Sequence, residues 1–159
     1  MKLDPDFREF IDCCIGADVR YLVIGGYAVV HYGHVRLTKN LDLRFERTVD
    51  HASRLMTALS RFGFNSIEHS TAELTNQDVL FRIGHPPRQV DLINSPPGLE
   101  FGVRWDRRET VGVDGTPVMV VGRDDLLILK RASGRPRDLA DIDEPTPRGG
   151  DDTWPPTPR

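Results

Sequence analysis

Hydrophobic and polar positions alternate almost without a break over residues 36 to 46, RLTKNLDLRFE. Leu41, Leu43 and Phe45 fall on one face, and Asn40, Asp42, Arg44 and Glu46 on the other. A period of two predicts a half-buried strand over about residues 40 to 46. Upstream, Asp4 followed by Pro5 reads as a helix start, and Phe7, Phe10, Ile11 and Cys14 recur at helical spacing as far as Gly16. RYLVIGG is a short apolar run closing on paired glycines, the pattern of a buried strand entering a tight turn, and YAVVHYG reads as a short helix ending at Gly33. Downstream, Ala52, Leu55, Met56, Leu59 and Phe62 have the spacing of a helix laid on a sheet, stopped by Gly63.

DVLFRIG and RQVDLINS are two further strand candidates joined through HPPR, and RETVGVDGTPVMVV predicts a hairpin turning at Asp114-Gly115. GRDDLLILKRASG combines an Asp cap, a core stripe of Leu126, Leu127 and Leu129, and a glycine stop. PRDLADID starts another short helix at Pro136, and no internal repeat appears. The order of elements predicts an α/β (α+β) fold, a mixed β-sheet with helices packed on one side of it, in a single domain over residues 1–143. Residues 144–159, EPTPRGGDDTWPPTPR, contain five prolines and one large apolar side chain, Trp154, so a disordered tail is expected there.

A chain of 159 residues is long enough for one domain with its own core. Its 21 basic and 24 acidic residues give a formal charge of −3, which excludes an overall basic field for nucleic acid and leaves only local contacts. The two cysteines, Cys13 and Cys14, are adjacent, an arrangement unsuited to a structural disulfide or a spaced metal motif. The opening MKLDPDFREF does not read as a signal peptide, and no run approaches the roughly 18 apolar residues of a membrane span. A soluble protein of the reducing cytoplasm is expected.

Candidate chemistry lies on the polar face of the first strand. Positions i and i+2 of a strand share a face about 6 to 7 Å apart, so carboxylates there can share one magnesium ion or bridge two placed roughly 4 Å apart. Here the pair is Asn40 and Asp42. A third group, Asp91 in RQVDLI, can complete a metal site or take the proton from an attacking hydroxyl. The Gly25-Gly26 turn lets backbone approach a ligand closely, and amides at the start of the next helix can hold phosphate oxygens. Such a set describes nucleotidyl transfer.

VIGGYAVVHYG, RLTKNLDL, RQVDLI and DDLLILKRASGRPRDLAD, in that order, resemble the successive motifs of the nucleotidyltransferase superfamily with the polymerase-β-like fold. Within it the chain is most similar to the small prokaryotic abortive-infection and type IV toxin-antitoxin nucleotidyltransferases, over about residues 20 to 142. The resemblance implies that Gly25 and Gly26 lie beneath a triphosphate, with Arg36 and Thr38 leading into the metal strand. It implies that Asp42 and Asp91 are metal ligands, and that Lys130 faces the nucleotide phosphates. It further implies a magnesium–nucleoside triphosphate complex as ligand, a hydroxyl acceptor such as tRNA or a protein, and an antitoxin partner.

Two departures stand out. Asn40 occupies the position of the family's first metal-binding aspartate; its amide oxygen still ligates, but without charge, so a weakened site with slow or no turnover is expected. The last helix is short where relatives continue, as truncation would produce. The alternative is an inactive family member serving as a nucleotide sensor or protein-binding partner. Taken singly, Asp42, Asp91 and Lys130 are also what ordinary exposed positions look like. His31 and His34, across a helix-ending glycine, do not present two imidazoles together. Arg131, Arg135 and Arg137 form either a local basic patch for RNA or a solvated helix end, and Asp138 with Asp141 suits ion pairing on one helix face.

Overall fold

The computed structural model describes residues 3–34, 37–64, 70–94 and 100–136. Among these residues the elements run α1 (Pro5–Gly16), β1 (Tyr21–Ile24), α2 (Gly25–His31), β2 (Asn40–Phe45), α3 (Val49–Phe62), α4 (Thr71–Asn76), β3 (Leu80–His85), β4 (Arg88–Ile93), α5 (Phe101–Asp106), β5 (Glu109–Val113), β6 (Thr116–Val120) and α6 (Arg123–Ser133). The strands form one mixed sheet in the order β3-β4-β2-β1-β6-β5. Strand β1 is antiparallel to β2 and parallel to β6, β2 is parallel to β4, and the β3–β4 and β5–β6 hairpins supply the two antiparallel edges. The fold is α+β, as the hydrophobic pattern predicts. The helix expected from Pro136 and the proline-rich stretch 144–159 lie, past Pro136, outside the described residues. Among the described residues no helix is long and apolar enough to cross a membrane.

Local chemistry explains most boundaries. The Asp4 carboxylate accepts from the Asp6 N–H at 2.9 Å to open α1, and Phe7, Phe10, Ile11 and Cys14 are its buried stripe. Thr48 caps α3 by accepting from His51 N–H at 3.2 Å, and Gly63 ends it in the left-handed region at φ 110°. Asp114 and Gly115, at φ 48° and 85°, make the turn between β5 and β6, where both central residues need positive φ. The expected Asp cap on α6 is replaced by Gly122, which caps without a side chain. Asp125 is instead drawn inward, 1% exposed, to Arg104 at 2.9 Å and Arg107 at 3.4 Å.

The core lies on the face of the sheet carrying Leu41, Leu43 and Phe45, all fully buried. Thr116 shares that face through the β6–β1–β2 register and donates to Asp12 of α1 at 3.0 Å. Helices α1 and α3 pack together there through Phe10 and Phe62, ring centroids 5.3 Å apart. The expectation of helices on one side needs extending: α5 stands over the opposite face, its Phe101 ring 5.9 Å from the Arg44 guanidinium.

One buried amide ties α4 to the sheet. Asn94, fully buried just after β4, accepts from Val79 N–H at 2.7 Å and donates to the carbonyls of Leu74 at 2.6 Å and Gln77 at 2.7 Å. Asn94→Ala would strand one donor and two acceptors in a dry site, costing about 2 to 3 kcal/mol. Urea unfolding should show a midpoint well below wild type; an unchanged midpoint would mean that the latch contributes nothing.

Candidate functional site

The site begins where β1 meets α2. Ile24 is still extended, and Gly25 turns the chain at φ 67° directly into the helix, so the paired glycines are the first residues of α2 and not a separate loop. A Cβ on Gly25 would collide with the Asp42 carboxylate, and one on Gly26 with the Thr38 hydroxyl. The glycines therefore bring backbone against the two side chains that the polar strand presents. The Gly26 N–H hydrogen-bonds the Asp42 carboxylate, and the Thr38 hydroxyl donates to the Asn40 carbonyl at 3.4 Å.

Parallel pairing of β2 with β4 sets Asn40 opposite Gln89 and Asp42 opposite Asp91. Register partners in neighbouring strands sit about 5 Å apart on the same face, so two amides and two carboxylates form a polar rectangle. Gln89 donates to Asp91 Oδ1 at 2.7 Å, and Arg82 reaches the same oxygen from β3 at 3.3 Å. Asp91 is 6% exposed, whereas the Arg82 side chain is 62% exposed. Both contacts fall on Oδ1.

Burial pushes the Asp42 carboxyl up to about 6, and the neighbouring Asp91 charge pushes the same way. Lys130, the Gly26 N–H and Arg135 oppose the rise without cancelling it. Lys130 is 5% exposed on α6, so it is neither a surface lysine nor remote from the carboxylates. Arg135 and Arg131 are both exposed, but Arg135 is near enough to act on the Asp42 carboxylate.

The fold thus gathers Gly25, Gly26, Thr38, Asn40, Asp42, Asp91 and Lys130. Arg36, Arg137, Asp138 and Asp141 lie outside the described residues. His31 pairs with Glu109 at 2.8 Å instead of with a second imidazole. Among the described residues no three His, Cys, Asp or Glu side chains cluster as a metal site, so the candidate donors are a carboxylate pair and the Asn40 amide.

Sequence reasoning missed Gln89 and Arg82 as partners of Asp91, and Arg44 as a buried charge. Gln89 had a signal: Gln-Val-Asp in β4 repeats the amide-x-carboxylate spacing of Asn-Leu-Asp in β2. Arg82 had none, because an exposed arginine on an edge strand looks the same whether or not a carboxylate faces it.

No family model matches this chain, and no curated protein matches it.

Proposed function

We propose that the protein binds a nucleoside triphosphate with magnesium on the polar face of β2 and β4, and transfers the nucleotidyl group to a hydroxyl acceptor, with pyrophosphate as the leaving group. One observation carries the reading: Asp42 and Asp91 are register partners on one face, beside a glycine strand-to-helix turn and a buried lysine. Two adjacent carboxylates, one of them held at about 6 by burial and by the other, form a site that a divalent cation relieves. The donor set fits magnesium, which takes one or two carboxylates together with substrate phosphates and retains waters. When bound, the ion would neutralise the phosphates and polarise the phosphorus under attack.

The chain's own residues supply the rest. Asp42 is oriented by the Gly26 N–H, and Asp91 by Gln89, which leaves Oδ2 of Asp91 for the cation or for the acceptor's proton. Lys130 supplies a buried positive charge beside the carboxylates, where it can offset a triphosphate. The motif resemblance to nucleotidyltransferases supports the reaction class and makes tRNA or a protein the acceptor, with an antitoxin as partner.

A second reading is favoured by Asn40. With an amide at that corner, the site holds a carboxylate pair in place of a trio, suited to binding nucleotide without turnover, as a sensor or protein-binding partner would. Calorimetric titration with each of the four nucleoside triphosphates, with and without magnesium, tests the shared premise. Binding should require magnesium and vanish in Asp42→Ala. Binding of equal strength in that variant, or none to any nucleotide, would remove both readings.

A further inference from the structure

On the same face of β2, one step beyond Asp42, stands a charge that the transfer reaction does not use. Arg44 is 5% exposed, and among the described residues its Nε and Nη1 have no hydrogen-bond partner. Across the sheet its register neighbours are Leu22 and Ile93, both apolar. Above it lies the Phe101 ring, centroid 5.9 Å from the guanidinium carbon. Burial and the Arg47 charge lower its pKa to about 10, which leaves it protonated at neutral pH. The carboxylate that acts on it favourably, Asp78, is already bound by Arg47 at 2.7 Å.

A buried cation in an apolar collar is costly unless an anion joins it, and a cation–π contact covers only part of that cost. More cationic side chains lie nearby: Phe101 stacks on Trp105 at 5.9 Å, and Arg108 and Arg20, the latter paired with Glu46 at 3.5 Å, lie 3.8 Å and 5.5 Å from the Trp105 ring. Charge, apolar walls and unsatisfied donors together describe a receptor for an oxyanion attached to an organic group.

We propose that Arg44 anchors a second binding site, for a phosphate-like oxyanion, on the face of β2 that carries Asp42. The anion reaches the guanidinium as Phe101, on the six-residue α5, moves aside. It then accepts from donors that are otherwise unpaired. Binding of the oxyanion stands by itself; its place in the reaction, as the seat of a phosphate carried by the acceptor some 6 to 7 Å from Asp42 along the strand, rests on the reading above.

The test uses inorganic phosphate on the full chain, without magnesium or nucleotide, so its outcome is separate from that of the nucleotide site. Melting temperatures of wild type, Arg44→Met and Arg44→Lys are compared in phosphate and in chloride of equal ionic strength. General stabilisation by phosphate acts on all three alike, so the difference between proteins is the readout. Wild type should gain about 3 to 6 °C more than Arg44→Met once phosphate is tenfold above its Kd, with Arg44→Lys between them. In chloride Arg44→Met should melt no lower than wild type, because it removes an unpaired buried charge. An equal phosphate response in Arg44→Met would overturn the proposal. So would a lower melting point or failure to fold of that variant in chloride, since either result makes Arg44 a structural ion with partners of its own.

Discussion

Asp42→Asn is expected to melt several degrees above wild type at pH 7.5 in the absence of metal. Burial and Asp91 raise the Asp42 carboxyl from 3.8 to about 6. The folded state therefore holds that proton more tightly than the unfolded chain does. Between about pH 4 and 6 the native state binds more protons, so stability falls as pH rises through that window. The contribution is complete below the unfolded value and lost above the folded one. At neutral pH the ionised, partly shielded carboxylate destabilises by something on the order of 2 kcal/mol, or about 4 to 8 °C for a domain of this size.

The asparagine keeps an acceptor for the Gly26 N–H but carries no charge, so the repulsion from Asp91 disappears. The gap between variant and wild type should be near zero at pH 4 and widen to its full size by pH 7.5. Thermal scans across that range decide the matter. A variant less stable than wild type at pH 7.5 would mean that Lys130 and Arg135 outweigh burial and Asp91, and the electrostatic case for a cation site would fall. A residue that lowers stability yet sits at the centre of a polar face is what binding sites commonly show.

How far the sequence reaches is clear at individual positions. Leu41, Leu43 and Phe45 announce their burial by alternation, and all three are sealed. Gly63 and the Asp114-Gly115 pair mark turns because their backbone angles suit few other residues. Asp42 could be named as a candidate because its i, i+2 spacing from Asn40 on an alternating strand was visible, and Asp91 because it stands as a lone carboxylate in an apolar strand. Their pairing came from the β2–β4 register, which the chain does not spell out locally.

Arg44 was placed correctly on the polar face, but alternation assigns a face without saying what covers it. Its cover is Phe101 on α5, a helix of six residues with fewer than two turns in which to show a period. Helix α4 is as short and was missed as well, although Ser70 and Glu73, which form a reciprocal capping box, carry the S-x-x-E signature of a helix start. The depth of Lys130 was hidden for a different reason. Helical spacing from Leu126 and Leu129 puts it at the edge of the buried stripe, where tertiary packing alone decides between core and solvent.

Asn40→Asp should have the opposite electrostatic signature to Asp42→Asn, and it probes the reaction most directly. Asn40 lies two residues before Asp42 and opposite Gln89, so the substitution adds a third carboxylate to the same face. Without metal the added charge repels a carboxylate that burial, and then Asp91, already hold near 6, and the melting temperature at pH 7.5 should fall by a few degrees. With magnesium and nucleotide the three carboxylates share a cation. Apparent magnesium affinity should rise about tenfold or more, since roughly 1.4 kcal/mol of extra attraction suffices for that factor. The melting temperature should then recover to wild-type level or above.

Transfer of label from α-phosphate-labelled nucleotide to a mixed tRNA and protein acceptor pool separates the two functional readings. Label incorporation at least a hundredfold above wild type would mean that Asn40 alone suppresses an otherwise complete transferase. Tighter magnesium without incorporation would mark a nucleotide-binding protein that has lost more than one ligand. The absence of both a drop in stability and a gain in magnesium affinity would show that position 40 does not face the Asp42–Asp91 pair, and the metal reading of this strand would be abandoned.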